Sequence, residues 1–407
     1  MNSEQLSAFE KAQKRKNIFI TGAGGCGKSY TLNHIIKWAR ERRIECAVTA
    51  STGCAAYLIQ GRTIHSYLGI GLAKKTAKEL ADFVRWKKPF IVSKLRALEM
   101  LIIDEISMIN AELFDKISEF LSLIRGSSKP FGGVQIILCG DFAQLPPTDG
   151  KYCFLANIWE KSNIETITLK TMMRQSDDNR LQEILEELRW GLCTKDTLRL
   201  LKSLKHTNFA NLKKNGIIPT VLYSMNVDVD AINEKQYKEL IDNGAETCIY
   251  KTVTSISGKS WSLSMKIPEK VELCIGAQVV LTWNVAQDDG LINGSRGVVI
   301  GFDTNGPIIR FVNGRETVIE ITKITDEDDS TSAISFMPIR LAYALTIHKS
   351  QGMTLDAVIL DLGDSIFEYG QAYTALSRAR GLEFIKIISV KSSSFRTHKD
   401  VLNFYKK

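Results

Sequence analysis

A glycine-rich stretch near the amino terminus, "GAGGCGKSY" at residues 22–30, combines bare backbone with one lysine and one serine. The residues before it form an apolar run of strand length, and those after it carry apolar side chains at helical spacing. A strand, a Gly-x-x-x-x-Gly-Lys-Ser turn and a helix form the setting in which backbone N–H groups cradle a phosphate chain. The expected nucleotide-contacting residues are Gly22, Ala23, Gly24, Gly25, Cys26, Gly27, Lys28, Ser29 and Tyr30.

This loop predicts a nucleoside triphosphate site with two polar side chains in defined roles. Lys28 is expected to reach the outer phosphates, and the Ser29 hydroxyl to contact Mg²⁺. An acidic pair, Asp104 and Glu105, ends the apolar run "LIIDEIS". A hard cation prefers carboxylate and water oxygens, so Asp104 is expected to hold Mg²⁺ through water. Glu105 is placed to accept a proton from the attacking water, which predicts hydrolysis as well as binding.

Three further residues are candidates for the same chemistry. Gln144 follows the next apolar run, in "CGDFAQLPP", where its amide is able to bond both the water and the terminal phosphate. The alternative is an ordinary turn closed by two prolines. Arg174 in "MMRQ" and Arg378 in "ALSRAR" are suited to stabilise the charge of a transferred phosphoryl group. Taken alone, either arginine pattern favours a surface ion pair.

Composition sets the broad class. A chain of 407 residues, 44% hydrophobic and 24% charged, predicts a globular protein of two or three domains. The longest apolar runs are strand-sized and no signal or transit peptide is apparent, so neither a membrane span nor secretion is expected. Eight cysteines without a Cys-x-x-Cys pair argue against structural zinc and disulfides and favour a reducing, intracellular compartment. Nucleus, cytoplasm and a viral replication site are not distinguished.

The order of apolar runs predicts the elements that position these residues. Continuous runs typical of a buried parallel sheet occupy residues 17–22, 47–51, 100–105 and 134–141. The carboxyl ends of parallel strands share one edge of a sheet, so the loops there are expected to carry the site. A helix is predicted at 181–190 and a second strand–helix region at 220–240, with further strands near 338–344, 357–362 and 384–390. Between 277 and 324, strand-like runs separated by Asn-Gly pairs predict a small antiparallel barrel.

Ten blocks stand in the order and approximate spacing of superfamily 1 DNA helicases: MNSEQ, GAGGCGKS, TASTGCAAYLI, RTIHSYLGIG, IIDEISM, GDFAQLPP, LKTMMRQ, LINGSRGVVIGF, LTIHKSQGMTLD and GQAYTALSRAR. Together with "AELFDKISEF…KPFGGVQIILCGDFAQLPP", they make the sequence resemble the petite-integration-frequency (PIF) family of the RecD-like branch, superfamily 1B. The resemblance extends from Met1 to about residue 390. It departs from the family at Gly24 and Cys26, where relatives more often have alanine and threonine.

The resemblance implies an α/β fold of two RecA-like lobes with parallel sheets, an inserted SH3-like β-barrel and a small insertion in the first lobe. The implied bounds are 1–185 for the first lobe, with its insertion at about 64–95, 186–275 and 337–407 for the second lobe, and 276–336 for the barrel. Only four residues precede Gln5, which suggests either a bare motor or a longer protein trimmed to its motor core. The barrel is expected either to guide a strand or to brace the second lobe.

The resemblance also implies roles for individual residues. Gln5 matches a glutamine that recognises adenine, and Gln351 and Gly352 belong to a block that couples nucleotide to DNA. Arg174 and Arg378 match arginines that reach the phosphates, the second from the opposite lobe. The implied strand-contacting residues, for whose histidines a core position is the alternative, are Thr63, His65, Thr346, His348 and Lys349.

The activity implied is that of an ATP- and Mg²⁺-dependent helicase that moves 5′ to 3′ on single-stranded DNA and unwinds the duplex ahead. Implied partners are single-stranded and forked DNA, with G-quadruplexes and RNA–DNA hybrids as open substrates, and the motor is expected to be monomeric. Replication, recombination, repair and telomere maintenance are the processes implied. One alternative is a single-strand translocase subunit without unwinding. The other is a nucleotide-switched DNA-binding module, which would not need Glu105, Gln144 and both arginines.

One basic segment with interleaved aromatics, residues 74–94, has two interpretations. It is either a DNA-gripping or strand-separating element, or a solvated amphipathic helix whose aromatic side chains pack inward. The sequence leaves these two open.

Overall fold

The computed structural model describes residues 1–173, 178–209, 215–225, 229–255, 267–283, 285, 291, 294–325 and 331–406. The chain divides into two compact units, described separately below. Unit 1 comprises Met1–Ser176 and Thr397–Lys407, and unit 2 comprises Asp177–Arg396. Among the described residues, no helix combines the length and apolar character needed to cross a bilayer.

Unit 1 alternates strands and helices. Its strands are β1 (Ile18–Gly22), β2 (Cys46–Ala50), β3 (Arg62–Thr63), β4 (Met100–Asp104), β5 (Gln135–Gly140) and β6 (Glu165–Leu169). The helices of its first segment are α1 (Ser3–Gln13), α2 (Lys28–Glu41), α3 (Gly53–Leu58), α4 (Ile64–Leu68), α5 (Ala77–Lys87), α6 (Pro89–Ala97), α7 (Ala111–Arg125) and α8 (Asn157–Lys161).

The six strands form one parallel sheet in the order β3-β2-β4-β5-β1-β6. Every residue of β1, β4 and β5 is buried, as expected for strands covered on both faces. The sheet packs against α1, α2 and α3 in one apolar core. The predicted parallel sheet is therefore confirmed, and Gly22, Asp104 and Gly140 end neighbouring strands at one edge.

The segment between β3 and β4 is helical. Helix α5 begins with a capping box between Thr76 and Glu79, and its buried face consists of the small and aliphatic residues Ala77, Leu80, Ala81 and Val84. Trp86 is 75% exposed and Phe90, in α6, is 63% exposed. The aromatic side chains therefore do not supply the packed face of this insertion, contrary to the amphipathic-helix interpretation in its inward-packing form.

Unit 2 contains a second alternation of helices and strands. Its helices are α9 (Asn179–Arg189), α10 (Lys195–Ser203), α11 (Val229–Asp242), α12 (Ile347–Ser350) and α13 (Gln371–Leu376). Its strands are β7 (Thr220–Tyr223), β8 (Thr247–Lys251), β9 (Val253–Thr254), β10 (Lys270–Cys274), β11 (Gln278–Leu281), β12 (Arg296–Asp303), β13 (Gly306–Phe311), β14 (Glu316–Val318), β15 (Thr322–Thr325), β16 (Ala333–Phe336), β17 (Ile339–Leu341), β18 (Ala344–Thr346), β19 (Val358–Leu362) and β20 (Ile385–Val390).

Four strands of unit 2 form a parallel sheet in the order β18-β7-β19-β20. The others pair antiparallel, and five of them form a sheet in the order β14-β13-β12-β11-β17. The run at 315–322, expected as one strand, is divided between β14 and the start of β15, which pairs in another sheet with β16 and β9. Closure into an SH3-like barrel stays a prediction.

The bounds of the two compact units differ from the expected lobe bounds at both points where the chain passes from one unit to the other. Residues 178–185 were expected in the first lobe, but they belong to unit 2, where Asp178 accepts hydrogen bonds from the backbone of Leu181 and Leu382. Residues 397–407 were expected in the second lobe, but they return to unit 1 as helix α14 (Lys399–Lys406). The reason is an aromatic cluster, defined by Phe19, Phe142, Tyr152, Phe154 and Trp159, which receives Phe404.

The seating of α14 gives a testable expectation. The Phe404 ring stacks on Phe154 with centroids 4.6 Å apart and meets Phe142 edge-on at 5.3 Å. Replacing it by alanine leaves a cavity among large rings, so Phe404→Ala should lower the free energy of unfolding of unit 1 by about 3 kcal/mol. Denaturant unfolding followed by near-ultraviolet circular dichroism measures this loss. The exposed Asn403→Ala in the same helix is the control; equal effects of the two variants would contradict the packing role.

Candidate functional site

The glycine-rich loop connects β1 to α2 at the carboxyl edge of the unit 1 sheet. Helix α2 begins at Lys28, and Gly27 before it has φ +84° and ψ +24°, a left-handed conformation that suits glycine. The Lys28 ammonium donates to the carbonyls of Gly22 and Ala23 at 2.9 and 3.0 Å. The loop thus wraps around its own lysine, with the first N–H groups of a 14-residue helix directed at the same place. Ser29 and Tyr30 are exposed at the start of that helix.

Helix α1 brings Gln5 against this loop. A capping box fixes the glutamine, because Asn2 N donates to its Oε1 at 3.0 Å and its own N–H donates to Asn2 Oδ1 at 2.9 Å. Gln5 is 2% exposed, and its Nε2 has no hydrogen-bond partner among the described residues. A β-carbon on Gly27 would lie 2.7 Å from that Nε2. The arrangement holds a buried amide donor beside the phosphate loop, which suits the acceptor nitrogens of a base.

The acidic pair lies where β4 ends. Glu105 has φ +49° and ψ +47°, a left-handed conformation that costs a non-glycine residue about 1–3 kcal/mol. Ser51 sustains this turn: its hydroxyl donates to the Glu105 carbonyl at 2.8 Å, and its N–H donates to the Asp104 carbonyl at 3.1 Å. The Glu105 N–H in turn donates to Asp104 Oδ1 at 2.8 Å. These hydrogen bonds hold the backbone of the acidic pair in a tight turn at the end of β4.

Asp104 is buried, with Cys139 of β5 behind it. Burial, followed by the negative charge of Glu105, raises the pKa of Asp104 to about 7, against the opposing effects of a hydrogen bond from Cys139 and the charge of Lys28. Burial also raises the pKa of the Cys139 thiol, which keeps the S–H proton available as a donor. A buried carboxylate of this kind gains from a nearby divalent cation.

These residues fit Mg²⁺ in the manner of a triphosphate site. Among the described residues, no group of three or more histidine, cysteine or acidic side chains is arranged to hold a metal ion by itself. Mg²⁺ does not need one, because it keeps several waters and takes one or two protein oxygens together with substrate phosphates. The exposed hydroxyl of Ser29 and the carboxylate of Asp104 supply that donor set.

Gln144 lies on the loop after β5, as expected. It is 3% exposed, and its Oε1 is buried with no hydrogen-bond partner among the described residues. Its N–H donates to the Asp141 carbonyl at 3.0 Å, and Asp141 Oδ1 accepts from Ala143 N at 3.2 Å. This turn presents a buried acceptor oxygen that suits a water molecule.

Arg174 lies outside the described residues, but the segment before it is placed. Met173 N donates to the carbonyl of Gly25 in the phosphate loop at 2.8 Å. Glu4 of α1 holds the same segment, because its Oε2 accepts from Lys170 N at 2.8 Å and from Thr171 N at 3.5 Å. The role expected of Arg174 stays a prediction.

In unit 2, Arg378 is buried and its guanidinium bonds within the unit. It donates to the carbonyls of Thr374 and Met353 at 3.0 and 3.4 Å and to the Ser377 hydroxyl at 2.7 Å. Gln351, two residues before Met353, is buried, and Gly352 has φ +82°. The phosphate contact expected of Arg378 stays a prediction.

The expected strand-contacting residues share one local structure in the two units. Thr63 ends β3 and caps α4 by accepting from Ser66 N at 3.3 Å, with His65 in the first turn. Thr346 ends β18 and caps α12 by accepting from Lys349 N at 3.1 Å, with His348 in the first turn.

Neither histidine belongs to the core. His65 and His348 are half-buried, and desolvation lowers the pKa of both imidazoles, with a partial opposing effect of Glu368 at His348. Both are therefore neutral at pH 7. Lys349 forms an ion pair with Asp230 at 3.7 Å.

Sequence reasoning missed the residues that support the site. Ser51, Glu4 and Cys139 act through hydrogen bonds to positions far away in sequence, so no local pattern announces them. A sequence signal exists for Ser51, because it ends a predicted strand at the edge where the site was expected.

Known proteins resemble this chain in sequence and in fold. Residues 1–190 match the family model of PIF1-like helicases, residues 263–302 match the Pif1 2B domain, and residues 341–384 match a UvrD-like helicase C-terminal domain. The crystal structure of Pif1 helicase from Candida albicans is 33% identical with a TM-score of 0.80, covering 100% of this chain and 99% of that one. This chain belongs to the PIF1-like helicase family.

Two further relatives of this PIF1-like chain are informative. ATP-dependent DNA helicase PIF1 from Xenopus laevis is 36% identical over 417 residues, which cover all of this chain and 64% of that protein. The chain thus spans less than two thirds of the length of this protein and of the PIF1 helicases from Homo sapiens and Mus musculus. A Bacteroides Pif1 helicase in complex with ADP-AlF3 and single-stranded DNA is 28% identical with a TM-score of 0.70, covering 100% of this chain and 96% of that one.

The contact between Gly27 and Gln5 gives a prediction with a matched control. Gly27 and Gly126 both have left-handed φ values, +84° and +64°, but a β-carbon on Gly126 would meet nothing within 4 Å. Alanine should cost similar stability at each, about 1–2 kcal/mol, from backbone strain. Only Gly27→Ala should also weaken binding of a fluorescent ATP analogue, by about tenfold or more, because it displaces the Gln5 amide and the loop. Equal nucleotide affinity in the two variants would contradict the assigned geometry.

Proposed function

We propose that this chain is an ATP-dependent DNA helicase that moves 5′ to 3′ along single-stranded DNA and unwinds the duplex ahead. The observation that carries the proposal is the meeting of the phosphate loop, the Asp104–Glu105 turn and Gln144 at one edge of the unit 1 sheet. Family membership supports the same activity. The relatives named ATP-dependent DNA helicase, and the Bacteroides complex with ADP-AlF3 and single-stranded DNA, indicate the ligands.

In the proposed reaction, ATP displaces the backbone carbonyls that now bind Lys28, and the ammonium bonds the outer phosphates instead. Gln5 donates to the base. Glu105 takes the proton of the attacking water, whose position the Gln144 oxygen fixes. Ser29 and Asp104 would hold Mg²⁺, which would supply charge neutralisation on the phosphates. Arg174 and Arg378 are assigned the role of stabilising the remaining negative charge of the transferred phosphoryl group.

Coupling to DNA is part of the proposal, with contacts to the nucleotide assigned to residues of both units. A contact that a protein group makes only to the terminal phosphate forms when ATP binds and is lost on hydrolysis. The groups that share this phosphate are therefore linked only while ATP is bound. We assign contact with the single DNA strand to five residues: Thr63, His65, Thr346, His348 and Lys349. Contacts of this kind suit phosphate and sugar, since a translocase favours no base sequence.

Residues 74–94 are assigned to DNA gripping or strand separation. Trp86 is exposed, and the Lys87 ammonium lies 3.5 Å from the centroid of its ring. The same segment contains the further cations Lys74, Lys75, Lys78, Arg85 and Lys88. Exposed rings among cations suit stacked bases and a phosphate backbone. A monomeric motor acting on forked DNA is part of the same proposal, as is activity on G-quadruplexes or RNA–DNA hybrids.

The proposal predicts that Glu105→Gln separates binding from hydrolysis. The variant keeps the side-chain shape but loses the proton acceptor, so DNA-stimulated kcat should fall by about a hundredfold or more, while the Kd for ATP changes less than about twofold. Phosphate release and equilibrium nucleotide binding measure the two effects. Glu112→Gln, at a side chain 83% exposed in α7, is the matched control and should retain full turnover. Turnover by Glu105→Gln at the parent rate would refute the assigned base.

The insertion gives a separate expectation. Trp86→Ala should weaken binding of oligo-deoxythymidine by about tenfold, because one stacked base contributes about 1–3 kcal/mol. Fluorescence anisotropy measures the affinity, and thermal unfolding should be unchanged since the ring is mostly exposed. Leu192→Ala, at an apolar residue 61% exposed in unit 2, is the control. Unchanged affinity in Trp86→Ala would remove the insertion from the DNA path.

A further inference from the structure

Helix α14 brings one hydroxyl group to the carboxyl edge of the unit 1 sheet. The Tyr405 hydroxyl lies 2.6 Å from Thr21 Oγ1, in the strand that leads into the phosphate loop. It also accepts from Phe142 N at 3.2 Å and donates to Asp141 Oδ1 at 3.5 Å, on the loop that carries Gln144. One side chain thus joins the carboxyl ends of the neighbouring strands β1 and β5.

The hydrogen bonds at this hydroxyl are mutually consistent. The Phe142 N–H donates to the tyrosine oxygen, the tyrosine proton goes to the Asp141 carboxylate, and the Thr21 hydroxyl completes the set as a donor. Thr21 and Asp141 have no exposed surface. Loss of a hydrogen bond in such a place is not made up by bulk water, so the arrangement resists distortion.

The Asp141 carboxylate links this hydroxyl to the catalytic loop. The same Oδ1 accepts from Ala143 N, and the Asp141 carbonyl accepts from Gln144 N. A change in the direction of the Asp141 side chain therefore moves the turn from which the Gln144 amide projects. Small misplacement of a group that orients water is costly in rate.

We infer that Tyr405 is a positioning residue for hydrolysis, acting through Asp141 on Gln144, an inference that rests on the proposed ATPase function. Tyr405 does not itself contact the nucleotide in this scheme. Its ring is held by neighbours, because Phe404 is seated in the aromatic cluster and contacts the Tyr405 ring at 5.2 Å. The segment that returns from unit 2 to unit 1 thereby becomes part of the catalytic support.

Tyr405→Phe removes the hydroxyl and keeps the ring. We expect kcat to fall by about tenfold, with the KM for ATP and the affinity for ADP within about twofold of the parent. Affinity for ADP–aluminium fluoride, which mimics the transferred phosphoryl group, should fall by the same factor as kcat. Tyr152→Phe removes a hydroxyl from the same aromatic cluster and should leave kcat within about twofold.

Epistasis with Asp141 tests the route. If Tyr405 acts through Asp141, then Asp141→Asn and the double variant with Tyr405→Phe should have equal kcat values. Independent, multiplying losses would overturn the inference. A Tyr405→Phe variant with the same kcat as Tyr152→Phe would also overturn it. A Tyr405→Phe variant that loses ADP affinity and thermal stability together with kcat would indicate a structural role and would overturn it as well.

The same experiment separates this inference from the proposed function. Absence of DNA-stimulated ATPase in the parent protein refutes the proposed function. The ratio of ADP–aluminium fluoride to ADP affinity in the parent and in Tyr405→Phe still decides the role of the hydroxyl, because that ratio needs no turnover. An unchanged ratio overturns the inference whether or not the parent hydrolyses ATP.

Discussion

Everything at the candidate site depends on keeping one glycine-rich loop open to phosphate at the edge of a buried sheet. The loop carbonyls of Gly22 and Ala23 bind the Lys28 ammonium, so the positive charge is retained inside the loop. The neighbouring elements support this loop. Helix α1 supplies the Gln5 amide and the Glu4 carboxylate, β4 leads into the acidic turn, and α14 joins the carboxyl ends of β1 and β5. The sheet is rigid because its central strands are wholly buried.

The two units use one local design at their expected strand-contacting positions. In each, a parallel strand ends at a threonine whose oxygen caps a short helix, and Thr-Ile-His recurs at 63–65 and at 346–348. The cap consumes an acceptor site of the threonine oxygen but leaves its O–H proton free to donate. Neutral imidazoles beside it offer hydrogen bonding and stacking without charge, which suits a contact that must be made and released repeatedly.

The strands and the phosphate loop were predictable because each is specified locally. Ile18–Gly22 and Met100–Asp104 are continuous apolar runs, and a glycine-rich turn with a lysine has few other uses. The return of α14 to unit 1 was not predictable, since eight amphipathic residues fit either unit and only the rings around Phe404 decide. The interpretation of residues 74–94 was left open, and in α5 Ala77 and Ala81 belong to the packed face while Trp86 is exposed.

The central claim is that hydrolysis at this site drives unwinding in one direction. The most direct measurement is ATP-dependent displacement of a labelled strand from duplexes that carry either a 5′ or a 3′ single-stranded tail. We predict displacement from the 5′-tailed duplex alone, with no displacement when ATP is replaced by ADP. Displacement from the 3′ tail alone would contradict the assigned polarity. DNA-stimulated hydrolysis without displacement from either tail would favour the translocase alternative.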